Sequence, residues 1–240
     1  MDQTITIKHL LEAGLHFGHR SRRWNPKMKP FIFGKKGGIY IVDLEKTLER
    51  LRVACDAVRN VSEAGQDVLF VGTKPQARPI IEEEAGRCSA FYVTERWIGG
   101  LLTNFDVVST RIARMVDLER MIRENDYGDA TKKESILLQR EHKKLAKMFS
   151  GVKEMDRLPG AVFMVDPTRE DTALAEARRL KIPVVALVDT NGDPESVEYP
   201  IPGNDDALRS IRLVTSAVAN AVLEGRKGQE PETKEDEGER

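Results

Sequence analysis

The amino-acid sequence predicts an α/β fold, in which helices cover both faces of a parallel sheet. Short apolar runs alternate along the chain with segments whose apolar residues recur every three or four positions, which indicates alternating strands and helices. The runs are apolar at nearly every position, as is typical of strands that are buried on both faces of a sheet. This order predicts a doubly wound sheet of the flavodoxin or Rossmann type.

Three strands and two helices are predicted in the first half of the chain. The strands are residues 38–43, 67–72 and 90–93, and the helices are residues 43–64 and 77–85. Asp43 is a suitable N-cap because its short carboxylate can accept the free backbone N–H groups of the first helical turn. Gly65 follows the longer helix and can adopt the left-handed conformation that ends a helix.

Two further strands and two further helices are predicted in the second half. The strands are residues 160–165 and 183–188, with a helix at residues 171–180 between them. A last helix has an apolar stripe from Leu208 to Val222, which indicates one buried face. Asp205 or Asp206 is expected to cap this helix, and Gly225 is expected to end it.

The long segment of residues 104–149 has no strand signal. Its first half has apolar residues at helical spacing, at Val108, Ile112, Met115, Leu118 and Ile122. A turn at residues 125–128 precedes a patchier stripe at Leu138, Leu145, Met148 and Phe149. This pattern predicts an inserted antiparallel helical hairpin of the coiled-coil type. The hairpin is either a contact device or a solvated projection without a partner.

The predicted domain organisation has three parts. Residues 1–103 and 150–225 form one discontinuous α/β domain, and residues 104–149 form the hairpin. Residues 226–240 form a charged tail without any apolar residue. Such a tail cannot bury enough surface to offset the entropy of ordering, so we expect it to be disordered.

The charges are distributed unevenly, although the formal net charge is only -1. Seven Lys or Arg and no acid lie between residues 18 and 36, whereas seven acids and four bases lie between residues 224 and 240. This asymmetry points to nucleic acid or an anionic membrane as the partner of the basic part.

Several enzyme classes and compartments are disfavoured by the composition. Cys55 and Cys88 lie in apolar settings without metal-type spacing, so we expect reduced core thiols. The sequence begins without the features of a secretory signal peptide. It also has no apolar run that approaches the ~18 residues of a membrane span. No nucleophile–base motif accompanies the few histidines. We therefore expect a cytoplasmic protein that is not an enzyme.

The first candidate site is the basic segment, residues 18–38, whose Pro and Gly content predicts an irregular, extended backbone ahead of the first strand. Its predicted RNA-binding residues are His19, Arg20, Arg22, Arg23, Trp24, Lys27, Lys29, Lys35 and Lys36. The cations suit phosphates, and Trp24, Phe31 and Phe33 either stack on bases or anchor the segment to the core. A solvated loop without a partner is the alternative, but the absence of acids argues against it.

A second set of candidates lies near the predicted carboxyl ends of the strands. A Gly-Thr-Lys turn at residues 72–74 suggests that Lys74 and Arg78 contact phosphate. Arg96 and Arg111 are predicted as further RNA contacts, whereas Trp97 is expected to pack rather than to stack. The same turn supports an alternative function, a nucleotide- or phosphate-binding protein that uses this edge of the sheet.

A third set of candidates consists of acids and a histidine. His16, Asp189, Asp205 and Asp206 are predicted ligands of a possible structural divalent cation. The alternative is that these acids have only a structural role, in which they stabilise turns and cap helices. No other cofactor is expected.

Seven long motifs follow one another along the chain. They are residues 10–20 (LLEAGLHFGHR), 23–28 (RWNPKM), 41–47 (IVDLEKT), 71–77 (VGTKPQA), 95–104 (ERWIGGLLTN), 189–194 (DTNGDP) and 199–207 (YPIPGNDDA). Together they resemble the bacterial small-subunit ribosomal protein S-two family, over about residues 7–223.

The resemblance implies a flavodoxin-like sheet with a coiled-coil hairpin inserted after the third strand. It also implies binding to small-subunit ribosomal RNA and help in docking the large S-one ribosomal protein, next to other small-subunit proteins. It implies neither an enzyme nor a membrane partner nor a small-molecule substrate.

Overall fold

The computed structural model describes residues 5–128 and 131–227. In chain order, its helices and strands are α1 (Ile7–Ala13), β1 (Phe17–Arg20), β2 (Ile32–Lys36), β3 (Ile39–Val42), α2 (Leu44–Glu63), β4 (Val68–Val71), α3 (Arg78–Arg87), β5 (Phe91–Val93), α4 (Phe105–Glu124), α5 (Lys132–Phe149), β6 (Ala161–Val165), α6 (Asp171–Arg179), β7 (Val184–Val188), β8 (Tyr199–Pro202) and α7 (Leu208–Lys227). Among the described residues, no helix is long and apolar enough to cross a membrane.

The main sheet is parallel and has five strands in the order β5–β4–β6–β7–β8. Numbered within the sheet, this order is 2-1-3-4-5, which is typical of flavodoxin-like folds. Every residue of β4, β6 and β7 is buried, as the continuous apolar runs predict. The prediction of a parallel sheet flanked by helices is therefore confirmed.

Successive residues of each strand face two different hydrophobic cores. Phe70 and Phe163 point to the core formed with α2, α3 and α7, and their rings meet edge to face at 5.4 Å. Leu69 and Val162 point to the other core, which includes α6 and the adjoining parts of α4 and α5. Both faces of the sheet are thus removed from water, which supplies most of the driving force for folding.

A separate antiparallel sheet has the order β1–β3–β2. The predicted first strand, residues 38–43, is its central strand β3, so its placement in the parallel sheet was wrong. The prediction of an irregular basic segment was also wrong in part, because β1 and β2 belong to that segment. Gly37 and Gly38 have φ of 59° and 79° and link β2 to β3. Two consecutive positive φ angles suit the tight hairpin turn that a Gly-Gly pair favours.

The long helix α2 begins as predicted. The Asp43 side chain accepts hydrogen bonds from the backbone N–H groups of Glu45 and Lys46 at 3.1 and 3.5 Å. Gly65 follows the helix with φ 72°, a left-handed conformation that costs glycine little.

The last helix, α7, differs from the prediction at both ends. The side chain of Asn204 accepts hydrogen bonds from the N–H groups of Asp206 and Ala207 ahead of the helix. The carboxylates of Asp205 and Asp206 contact Lys74 instead of capping the helix. Gly225 lies inside α7, which continues to Lys227. A Cβ atom at Gly225 would lie 2.5 Å from the Arg59 carbonyl oxygen of α2, so this glycine permits close helix packing. Of the predicted disordered tail, residues 226–227 continue α7, and residues 228–240 lie outside the described residues.

The edge strand β8 has no counterpart in the prediction. Its sequence YPIP contains two prolines, which remove backbone donors and so weaken the strand signal. At the edge of a sheet, half of the backbone donors face away from the neighbouring strand, which is why proline is tolerated there.

Helices α4 and α5 form the inserted segment. Val108, Ile112, Met115 and Leu118 are buried on α4, as predicted, but Phe149 is the only fully buried residue among the described residues of α5. Arg114 of α4 pairs with Glu141 of α5 at 3.2 Å. The prediction that α4 and α5 pair as a coiled coil stays a prediction.

The close packing of α7 on α2 can be tested at Gly225. We expect Gly225→Ala to lower the free energy of unfolding by about 1–3 kcal/mol, because the added methyl group overpacks the interface. Urea denaturation measures this change. Gly86→Ala in α3 is the matched control, since its Cβ would meet nothing within 4 Å, and it should raise stability by about 0.5–1 kcal/mol. Equal effects of the two substitutions would contradict the packing role.

Candidate nucleic-acid interface

The basic segment exposes a group of cations without ionic partners. Six of its seven cations are exposed and form no ion pair with any described residue, namely Arg20, Arg22, Arg23, Lys29, Lys35 and Lys36. Lys27 differs because Asp193 and Glu195 each lie 2.8 Å from its ammonium. The six unpaired charges leave this surface able to bind an anionic partner.

The aromatic residues of the segment have two different roles. Trp24 and Phe31 are half-buried; Trp24 packs on Tyr40 with the ring centroids 4.8 Å apart, and the Arg50 guanidinium lies over Phe31. Phe33 is 80% exposed. Trp24 and Phe31 therefore pack against neighbouring residues, and Phe33 is the most exposed of the three rings.

The loop after β7 holds the basic segment in place. Thr190 accepts the His19 N–H at its hydroxyl oxygen and the Asn25 N–H at its carbonyl oxygen, both at 2.8 Å. The Met28 side chain is fully buried. A Cβ at Gly18 would approach Thr190 to 2.4 Å, so this glycine lets the two segments approach closely.

Lys74 lies among three carboxylates at the carboxyl edge of the parallel sheet. Its ammonium is 2.7 Å from Asp205, 2.6 Å from Asp206 and 3.3 Å from Asp166. Burial by itself lowers the pKa of Lys74, but these carboxylates outweigh burial and raise it. Because its charge is neutralised within the chain, Lys74 is poorly placed to bind a phosphate.

The acids around Lys74 are themselves perturbed. Burial, together with the charges of Asp166 and Asp189, raises the pKa of Asp205 to about 7, although Lys74 opposes this shift. The Asp205 side chain is only 1% exposed. A buried carboxylate among other carboxylates is costly without a cation, so this group requires a positive charge at its centre.

His19, rather than His16, faces the acids. The two ring nitrogens of His19 lie 3.0 Å from Asp189 and 3.5 Å from Asp206. The nearby Asp189 carboxylate is the main cause that raises the pKa of His19. The His16 ring packs on Phe17, and burial lowers the pKa of His16.

The structure brings together part of the predicted metal set. Among the described residues, one group of potential ligands is close enough, and it consists of His19, Asp205 and Asp206, with ligand atoms within 4.8 Å of one another. Asp189 contacts this group through His19, and His16 is not part of it. Histidine nitrogen and carboxylate oxygen suit Zn²⁺, but the Lys74 ammonium already lies against both acids.

The remaining predicted cations divide into paired and unpaired ones. Arg78 donates to the Thr73 carbonyl oxygen at 2.9 Å and to Glu95 at 3.1 Å. Arg96 and Arg111 are exposed and have no ion pair within the described part of the chain. Arg96 and Arg111 can therefore bind an outside partner. Arg78, like Lys74, is already paired within the chain.

Trp97 packs in the core, as expected. It is 8% exposed, and its indole N–H donates to Glu176 of α6 at 3.0 Å. The same carboxylate accepts the backbone N–H groups of Gly100, Leu102 and Thr103. Glu176 therefore shapes the loop that leads into α4.

Helix α5 carries exposed cations that sequence reasoning missed. Unpaired and exposed among the described residues are Lys132, Lys133, Arg140, Lys143 and Lys144. Both acids of α5 are engaged, since Glu134 bonds to Thr131 and Glu141 pairs with Arg114. The signal was the ratio of six bases to two acids in residues 132–149, but the mixed signs of the whole hairpin obscured it.

Comparison with known families gives one assignment. The model of the family described as Ribosomal protein S2 matches residues 10–225. The match therefore includes the basic segment, the five-stranded sheet and the inserted helices.

The competition between Lys74 and a metal ion can be measured directly. We expect Lys74→Gln to bind Zn²⁺ at least about tenfold more tightly than the unmodified chain, because removal of an ammonium within ~3 Å relieves charge repulsion. Isothermal titration calorimetry gives both affinities. Asp205→Asn in the same background should abolish binding, whereas Asp117→Asn on α4 should not. Equal affinities with and without Lys74 would rule out the competition.

Proposed function

The chain belongs to the ribosomal protein S2 family and is thus a structural protein of the small ribosomal subunit, and we propose that its basic segment binds small-subunit ribosomal RNA. The observation that carries this proposal is the group of six exposed cations without ion pairs. Phosphate contacts from such cations position a protein on RNA, and exposed aromatic rings such as Phe33 can stack on unpaired bases.

The alternative function, nucleotide or phosphate binding at the sheet edge, is less well supported. Lys74 would have to leave Asp166, Asp205 and Asp206 to bind a phosphate. A phosphate bound at this edge would also be repelled by the negative charges of these three acids. The electrostatics of the edge therefore favour a cation there and an anion on the basic segment.

RNA binding through the basic segment predicts a change in salt dependence. We expect the triple substitution of Arg20, Arg22 and Arg23 by Gln to weaken binding to a small-subunit ribosomal RNA fragment. The slope of log affinity against log salt is negative, and its magnitude should decrease by about 2, because each lost single-strand phosphate contact contributes ~0.7. Filter binding at several salt concentrations measures this slope.

The control for this experiment removes three arginines that already have partners. Arg114, Arg120 and Arg212 pair with Glu141, Asp117 and Glu83, so their replacement by Gln makes the same change in net charge. Affinity and slope should change little in this control. A slope equally reduced in both triple variants would indicate a general charge effect and contradict the proposed contacts.

We further propose that α4 and α5 help to dock the large S-one ribosomal protein. The supporting observation is a set of exposed apolar side chains on the two helices, which are Val107, Val116, Ile136 and Leu137. Exposed apolar groups on a charged arm suit a protein contact better than a phosphate contact.

The docking role is tested better by point substitutions than by deletion of α4 and α5. Phe149 and Met115 belong to the core that α6 shares with parts of α4 and α5, so deletion would destabilise the fold. We expect Ile136→Gln with Leu137→Gln to weaken S-one binding at least about thirtyfold, since each substitution removes over ~1 kcal/mol of apolar contact and the pair removes over ~2 kcal/mol. Ribosomal RNA binding should persist. Leu208→Gln, at a 57% exposed position on α7, is the control, and an equal loss there would refute this role.

The remaining partner assignments follow from the family. We propose a location on the ribosome in the cytoplasm, next to other small-subunit proteins, with no membrane partner and no small-molecule substrate. A catalytic activity is not expected in a family of structural ribosomal proteins. A divalent cation at His19, Asp205 and Asp206 stays a proposal that the zinc titration tests.

A further inference from the structure

A cavity of about 390 Å³ is lined in part by the start of the basic segment. Its lining includes Phe17 and Ile39 on strands β1 and β3, the three arginines Arg20, Arg22 and Arg23, and Asp206 ahead of α7. The volume is within the range of sites that hold small organic groups. The cavity therefore combines an apolar wall, a cationic rim and a carboxylate.

The apolar wall is suited to a flat ring. Phe17 is 50% exposed, and its ring contacts that of His16, with the centroids 3.9 Å apart and the two planes tilted by 42°. Ile39 is half-buried beside the cavity. A half-exposed aromatic ring in the lining of a cavity can stack with an unpaired base.

Two polar side chains of the cavity, Asp189 and Asn204, already have partners. Asp189 accepts a hydrogen bond from the Thr190 hydroxyl and lies 3.0 Å from His19 Nδ1, and its side chain is 1% exposed. The side-chain oxygen of Asn204 accepts two backbone N–H groups, and its amide donates to the Gly14 carbonyl oxygen. These side chains shape the cavity and have little capacity left for a ligand.

Asp206 is the carboxylate of the cavity that remains open. One oxygen lies 2.6 Å from Lys74, and the other lies 3.5 Å from a ring nitrogen of His19, which is longer than a normal hydrogen bond. The Asp206 side chain is 54% exposed. A carboxylate accepts several hydrogen bonds, so Asp206 can still accept N–H groups from a ligand.

We propose that this cavity receives one unstacked base of the bound RNA and that Asp206 makes guanine the preferred base. The arginines hold the flanking phosphates, Phe17 stacks on the base, and Asp206 accepts hydrogen bonds from the base edge. The inference rests on the proposed RNA-binding function, because the same arginines carry both.

The preference for guanine follows from the donors on each base. Guanine presents a ring N–H and an amino group side by side, and a carboxylate can accept both. Adenine and cytosine present one amino group next to a ring nitrogen whose lone pair repels a carboxylate. Uracil presents one N–H between two carbonyl oxygens, which also repel it. Guanine alone therefore makes a bidentate contact with Asp206.

The test uses the full chain and four RNA heptamers of uridine with G, A, C or U at the central position. Fluorescence anisotropy in EDTA gives each affinity without a bridging metal ion. We expect the G heptamer to bind at least about fivefold more tightly than the others, which is the lower end for a bidentate base contact. Equal affinities for the four heptamers would overturn the proposal.

Variants of the cavity separate the roles of its residues. Asp206→Asn should remove the preference for G, whereas Asp206→Glu should retain part of it. Lys74 keeps Asp166 and Asp205 in both variants, and thermal melts verify that they fold. Phe17→Ala should weaken binding of all four heptamers. Asp117→Asn on α4 is the control, and a G preference that survives in Asp206→Asn would refute the role of Asp206.

The outcome also distinguishes this inference from the proposed function. If the triple arginine variant loses its salt-dependent RNA binding but the heptamers bind equally, only the guanine site is wrong. If the triple variant binds ribosomal RNA as the unmodified chain does, the proposed function of the basic segment fails as well.

Discussion

The charge network of Lys74 is the interaction on which the candidate site depends. It joins the loop after β4 to Asp166 after β6 and to Asp205 and Asp206 ahead of α7. Desolvation of each buried charge costs several kcal/mol, so these acids can share one edge of the sheet only with a cation among them. Through Asp206 the network also reaches His19 on β1 and so positions the start of the basic segment.

This network divides the cations of the chain into two groups. Lys74 and Arg78 form ion pairs with acids of the fold. The arginines of the basic segment have no such partners and keep their full charge for an outside anion. A similar division occurs at the base of the inserted helices. There Glu176 accepts the hydrogen bonds that shape the loop before α4, and the exposed cations of α5 remain unpaired.

The parts of the fold that depend on local sequence were predictable. Continuous apolar runs identified β4, β6 and β7, and Asp43 identified the start of α2, because burial pattern and capping act within one element. The pairing of β3 with β1 and β2 was missed, since alternation in these half-buried strands is weak. Gly225 was assigned to a helix end because glycine usually occurs there, but its contact with Arg59 comes from a helix more than 150 residues away in sequence.

By itself, the sequence determined the parallel sheet, the family and the basic segment as the RNA-binding candidate, because each depends on composition or order along the chain. The tertiary structure decided which charges are free. It paired Lys74 with Asp205, 131 residues away, and held His19 against Thr190, 171 residues away. It also assigned His19 rather than His16 to the acids. Such pairings depend on how strands and loops meet at the sheet edge, and no local pattern records them.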